Sequence, residues 1–249
     1  MNTHFDYILR LGDNALILAQ RLGEWCGHGP VLEQDIALTN ISLDLLGQAR
    51  MLFTYAGELE GRGRTEDQLA YFRDAHEFRN VLLVEQPNTD WAYTIARQFF
   101  FDTYNYYHYQ ALLKSSDERL AAIAEKSLKE VTYHLRFSSE WIIRLGDGTE
   151  TSHQKMQAAI DDLWMYTGEL TTPNATDLAV AADGTGVDLL KIKPLWDAKV
   201  ADVLQEATLQ MPTAGWMQSG GKDGRHTEQL GFILAEMQHL QRTYPGLEW

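Results

Sequence analysis

Four long stretches of helix-forming sequence, grouped as two close pairs, restrict this chain more than any other feature. Six prolines in 249 residues leave room for long helices. The spacing predicts a first helix over residues 5–25, with Ile8, Leu11, Ala15, Leu18, Ala19 and Leu22 at helical intervals. Gly27-His28-Gly29-Pro30 ends it. A second helix covers residues 32–59, closed by Gly61-Arg62-Gly63-Arg64. A third covers 90–114. A fourth starts after Ser115-Ser116-Asp117 and reaches Leu145, where Gly146-Asp147-Gly148 stops it. Alternating strand patterns are almost absent. Val81 to Val84 is the one short apolar run of that kind, and it reads as strand or as helix.

The joints suggest the topology. Helices one and two are closely joined, as are three and four, while about thirty residues separate the pairs. That connection holds a short helical piece at 67–73 and a turn at Gln86-Pro87-Asn88. Two hairpins with one long crossover is the wiring of a ferritin-like four-helix bundle. Beyond it, helices are expected over 152–170, 193–210 and 227–244, with loops at 171–187 and 215–224. The expectation is an all-α chain forming a single ferritin-like domain over residues 1–249. Its core bundle spans about 5–145 and a C-terminal helical extension about 150–249.

Charge and cysteine content exclude several functions. Lys and Arg total 21 against 35 Asp and Glu, a net charge of -14. Such a surface repels phosphate, so neither nucleic acid nor membrane is an expected partner. No apolar run approaches the roughly 18 residues of a membrane helix. Met1-Asn2-Thr3-His4-Phe5-Asp6 lacks the basic start and apolar block of a signal peptide. Cys26 is the only cysteine, which rules out internal disulfides and cysteine-based zinc or iron–sulfur sites. The expected setting is the cytoplasm.

The second helix is apolar almost all round and is expected to be largely buried. Asn40, Asp44 and Gln48 recur on one of its faces. That stripe either turns inward, where Asp44 needs a partner, or reaches solvent at a helix edge. Nine of the nineteen residues from Trp91 to Tyr109 are aromatic, with Asp102 the lone acid among them. That helix reads as plain core or as an interface, and it is the candidate contact surface for a partner. The fourth helix carries Glu130-Val131-Thr132-Tyr133-His134, and the first offers Asp13. Each long helix can therefore place one carboxylate inward: Asp13, Asp44, Asp102 and Glu130.

A di-iron carboxylate bundle adds Glu-x-x-His on two helices. Here Gly47 stands three residues after Asp44, and Tyr133 three after Glu130, so both histidines are missing. His134 comes one residue late, about 100° further round the helix. The frame of the site is present and its ligand set is degraded. Arg or Lys side chains, Asn40, Gln48 and His134 are the expected partners of the buried acids.

Acid-to-histidine spacing of three also occurs at Glu150/His153, Asp223/His226 and Glu236/His239. Only the last is expected mid-helix, where it also reads as a solvated face. Gly220 to Thr227 is either a phosphate cradle at a helix start or a turn with Thr227 as N-cap. Cys26 reads as a small apolar residue. No Gly-x-Ser-x-Gly, P-loop or dinucleotide fingerprint is present.

Longer runs carry a resemblance over nearly the whole chain. They are Leu9-Arg10-Leu11-Gly12-Asp13-Asn14, Gln20-Arg21-Leu22-Gly23-Glu24-Trp25-Cys26-Gly27-His28 and Leu43-Asp44-Leu45-Leu46-Gly47-Gln48-Ala49-Arg50. Leu83-Val84-Glu85-Gln86-Pro87-Asn88, Tyr133-His134-Leu135-Arg136-Phe137-Ser138, the stretch from Gly220-Gly221-Lys222 to His226-Thr227-Glu228, and Leu234-Ala235-Glu236-Met237-Gln238 complete the set. On these runs the chain resembles the family of C components of the bacterial phenylacetyl-CoA epoxidases, the ring 1,2-monooxygenases of aerobic phenylacetate catabolism.

The resemblance implies a ferritin-like structural subunit without a functional metal or cofactor of its own. It pairs with a catalytic partner, the A component of the epoxidase, in a hetero-oligomer. That partner holds the di-iron centre and binds phenylacetyl-CoA, which this chain meets only indirectly. Electrons come from NADPH through a reductase with FAD and iron–sulfur groups. The resemblance also implies CoA-ligand contacts at Glu77, Phe78, Arg79 and Asn80, and at Leu178, Ala179 and Val180. An Arg79 guanidinium suits a CoA phosphate; packing of the connecting segment is the other reading. The functional alternative is a di-iron oxygenase subunit with an unusual metal site of its own, built from Asp13, Asp44, Asp102, Glu130 and His134.

Overall fold

Long amphipathic and buried helices make up the chain. The computed structural model describes residues 3–213 and 215–247, and among these there is no strand. Two compact units divide the sequence: Met1–Glu85 with Gly220–Trp249, and Gln86–Ser219. The expected two hairpins are present, one in each unit, with the C-terminal third shared between them.

The first unit is built on α1 (Thr3–Gly23) and α2 (Leu32–Glu60), which pack along each other. Every residue of α1 from Tyr7 to Ala19 is buried, so α1 is the central helix of this unit. Around it lie α2, a 3-10 turn at Leu82–Glu85 and α10 (Glu228–Met237). The short helix α3 (Glu66–Tyr71) starts with a capping box between Thr65 and Gln68. A left-handed Gly61 at φ 68° ends α2.

The expectation for α2 needs correcting. Leu38, Ile41, Leu45 and Leu52 are buried, but Leu32 is 70% exposed, Leu43 59% and Ile36 50%. These three fall on the opposite stripe, so α2 is two-faced and α1 is the helix buried all round. The helix expected over 227–244 is broken at Gln238 into α10 and α11 (His239–Thr243). The buried Gln238 amide donates to the carbonyls of Ala70 (3.1 Å) and Arg73 (3.0 Å).

The second unit holds α4 (Trp91–Leu112), capped by Asp90, and α5 (Glu118–Gly146), capped by Asp117. Also in it are α6 (Glu150–Trp164), α7 (Gly168–Thr171), α8 (Ala175–Ala182) and α9 (Leu189–Glu206). α8 lies in what the sequence suggested was a loop, although an Asn174/Asp177 capping box opens it. The stretch expected as one helix over 152–170 divides after Trp164.

Most of the aromatic helix is core within this chain, the first of its two expected readings, while Trp91, Tyr93, Tyr106 and Tyr107 are half-buried. Phe99, Phe100, Phe101, Tyr104 and Tyr109 are buried, because α5, α6 and α9 pack around α4. Phe100, Trp164 and Trp196 form a triangle of rings with centroids 5.8–5.9 Å apart. Trp196 Nε1 donates to the Phe100 carbonyl at 3.0 Å. Large amphipathic rings fill the space between helices and still find a polar partner.

Candidate functional site

Three buried polar clusters hold the chemistry-bearing residues. The first surrounds Asp13, which has no exposed surface. Arg73, 1% exposed, grips it with two prongs: one terminal nitrogen donates to Oδ2 at 3.0 Å and the other to Oδ1. The Arg79 backbone N–H adds a third bond to Oδ2 at 2.8 Å. Arg73 also donates to the Leu69 and Glu77 carbonyls. Its Cζ lies 4.1 Å from the Phe78 ring centroid and 5.4 Å from that of Phe53. Gly12 makes room for this arrangement, since a Cβ there would sit 2.5 Å from the Phe53 ring. A buried carboxylate matched this completely needs no further cation.

The second cluster, also in the first unit, surrounds Glu85. Its carboxylate accepts from Asn80 Nδ2 (3.1 Å), from the Thr227 N–H (2.7 Å), and faces His226 Nδ1 (3.1 Å). Arg21 donates to the Glu85 carbonyl through Nε (3.1 Å) and a terminal nitrogen (2.9 Å). Thr227 is the N-cap of α10, as the turn reading expected. The anion at that helix start is Glu85, supplied from within, so the cradle is already filled.

The third cluster belongs to the second unit. Asp102 on α4 accepts from Gln98 Nε2 (2.6 Å) and from Ser138 Oγ (2.7 Å) on α5. Burial raises its pKa to about 6. The charge of His134 and the two hydrogen bonds pull the other way without cancelling that.

The remaining expected positions scatter. Asp44 and Glu130 are only partly buried, so the picture of four fully inward acids holds for Asp13 and Asp102 alone. Gly47 faces open space and Tyr133 is 43% exposed. Asn40 is exposed, whereas Gln48 and His134 are buried. His153 Nδ1 lies 2.7 Å from the Gly146 carbonyl at the end of α5. Glu236 and His239 are both exposed and separated by the break at Gln238, not mid-helix as expected. Cys26 is exposed rather than packed.

Among the described residues, no group of three or more His, Cys, Asp or Glu is placed to hold a metal ion. The acceptor atoms of Asp13 are engaged by Arg73 and Arg79, and neither Gly47 nor Tyr133 can ligate as histidine would. These residues do not fit a dinuclear iron centre.

Of the ligand-contact positions, Phe78 and Asn80 are fully buried, one beneath Arg73 and the other on Glu85. Glu77 accepts from the Asp74 N–H, and the Arg79 guanidinium donates to the His76 and Phe78 carbonyls. In the second unit Leu178 and Ala179 are exposed on α8, and Val180 is buried. Sequence reasoning missed Arg73, Glu85, Gln98 and Ser138, and it paired His226 by spacing with Asp223, whereas the ring faces Glu85. For Gln98 and Ser138 a signal existed, four residues from Asp102 and from His134 respectively.

Comparison with known proteins adds two findings. The profile of a family described as phenylacetic acid catabolic protein matches residues 1–249. The chain is also 53% identical, over all 249 residues and the full length of both proteins, to the C subunit of 1,2-phenylacetyl-CoA epoxidase from Escherichia coli (strain K12). The all-α, ferritin-like class expected from the sequence agrees with both. No helix among the described residues is long and apolar enough to cross a membrane.

Proposed function

This chain belongs to the phenylacetic acid catabolic protein family, and we propose that it is a supporting, non-catalytic subunit of a phenylacetyl-CoA epoxidase in phenylacetate catabolism. The single observation that carries this reading is the commitment of Asp13 to Arg73. A carboxylate frame that neutralises itself has no use for iron and serves as scaffold. In this reading the di-iron centre lies on a separate catalytic partner, the A component, which binds phenylacetyl-CoA and forms the ring 1,2-epoxide. NADPH, FAD and iron–sulfur groups belong to a reductase. What this chain's residues contribute is rigidity: α1 is pinned through Asp13 and Asn14 to the segment at 73–81, and α4 to α5 through Asp102 and Ser138.

Elemental analysis of the chain produced alone in iron-rich medium tests the reading. Less than about 0.1 iron per chain is expected, and close to about two per chain overturns it. Co-purification with the catalytic partner is the second expected result. Epoxidation by the assembled complex should survive Asp102→Asn.

A further inference from the structure

His226 sits just after the point where the chain returns to the first unit at Gly220. Its side chain is 4% exposed, and both ring nitrogens face oxygen. Nδ1 lies 3.1 Å from Glu85 Oε2, and Nε2 lies 3.0 Å from the Phe78 carbonyl. A neutral imidazole carries one N–H and can satisfy only one of these acceptors; the imidazolium satisfies both. The same Glu85 carboxylate takes the Thr227 N–H at the start of α10. Gly224, at φ +81°, leaves no room for a side chain there: an added Cβ would collide with the His76 carbonyl oxygen and sit 2.7 Å from an Arg79 terminal nitrogen. One acid and one histidine thus fasten the returning chain to the connecting segment.

We propose that His226 and Glu85 form a proton-operated latch: with His226 protonated it holds residues 220–237 against residues 76–85, and it loosens when the imidazole loses its proton. The latch is a property of this chain's own fold and stands apart from the support role.

The charged groups that act on the ring or on its two partners come from three segments. The connecting segment supplies Glu85, and Arg79, which donates to the same Phe78 carbonyl. Asp13 and Arg21 come from α1, Arg21 donating to the Glu85 carbonyl, and Arg225 precedes His226 in its own loop. Burial of the ring disfavours its charge. The bond to Glu85, the Glu85 charge, the Phe78 carbonyl and Asp13 outweigh burial, and the net shift is upward from 6.5. A raised pKa means that the latch contributes fully below the unfolded value near 6.5. Its contribution disappears as pH climbs through the folded value.

The test uses the full-length chain. Ring titration by NMR should place the His226 midpoint above 6.5; a midpoint at or below 6.5 overturns the latch. Amide exchange, corrected for intrinsic rates, should show protection of residues 221–230 and 76–85 falling between pH 6 and pH 9. The fall should be about tenfold for each pH unit by which the measured midpoint exceeds 6.5. His226→Gln should remove the pH dependence and leave protection at the high-pH level of the parent. A variant that keeps the parent's pH profile overturns the proposal. If the variant does not fold, the titration and exchange of the parent chain still decide.

Discussion

Arg73 and Asp13 stand sixty residues apart in sequence and meet as a two-pronged ion pair with almost no exposed surface. The guanidinium carbon lies over the rings of Phe78 and Phe53, and the carboxylate also takes the Arg79 N–H. Taking two charges out of water is costly, and only such complete matching offsets it.

Removing one member should therefore cost more than removing both. Arg73→Met leaves an uncompensated buried carboxylate and should destabilise the chain by about 3–5 kcal/mol. Combining it with Asp13→Asn should recover a large part of the loss. Urea unfolding of the four members of the cycle measures this. A cost below about 1 kcal/mol for Arg73→Met would show that the pair is not the lock described.

Asp102 should make stability depend on pH in the opposite sense to a paired surface acid. Its folded pKa of about 6 lies above the ordinary 3.8, chiefly because of burial. The folded state therefore holds the proton more tightly, and stability falls as pH rises from about 4 to about 6. Above that window the ionised form is buried at a net cost. Asp102→Asn should raise stability at pH 7.5 by about 1–3 kcal/mol and remove this part of the slope. Unfolding curves at pH 4.5 and pH 7.5 would show it; equal changes at both pH values contradict the assignment.

Two glycines should behave oppositely. Gly12→Ala drives a methyl group into the Phe53 ring, which also packs on Arg73, and should cost about 1–3 kcal/mol. Gly47→Ala places its methyl in open space within a helix and should gain up to about 1 kcal/mol. Thermal melts of the two variants check both signs.

Chelation should leave the isolated chain unchanged. No bound ion contributes to folding in the proposed role, so treatment with a strong iron chelator should move the melting temperature by less than about 1 °C. A fall of several degrees would reveal a metal that stabilises the native state.

Helix periodicity and joint lengths were enough to read both hairpins, since apolar spacing and caps are local properties of the chain. Asp13, Asp102 and the missing histidines at Gly47 and Tyr133 were legible for the same reason. Local pattern does not say which neighbours cover a face. Thus α2 looked buried and exposes Leu32, while α4 read as core or as a contact surface and packs under α6 and α9. Nor does spacing reveal a partner brought from far along the chain. Arg73 reaches Asp13, and His226 reaches Glu85 across 141 residues, only because the connecting segment and the returning C-terminal chain both fold onto α1. The sequence by itself determined the helices and the acids that need compensation. The tertiary structure decided which cation or hydrogen bond compensates each one, because that choice depends on packing between distant segments.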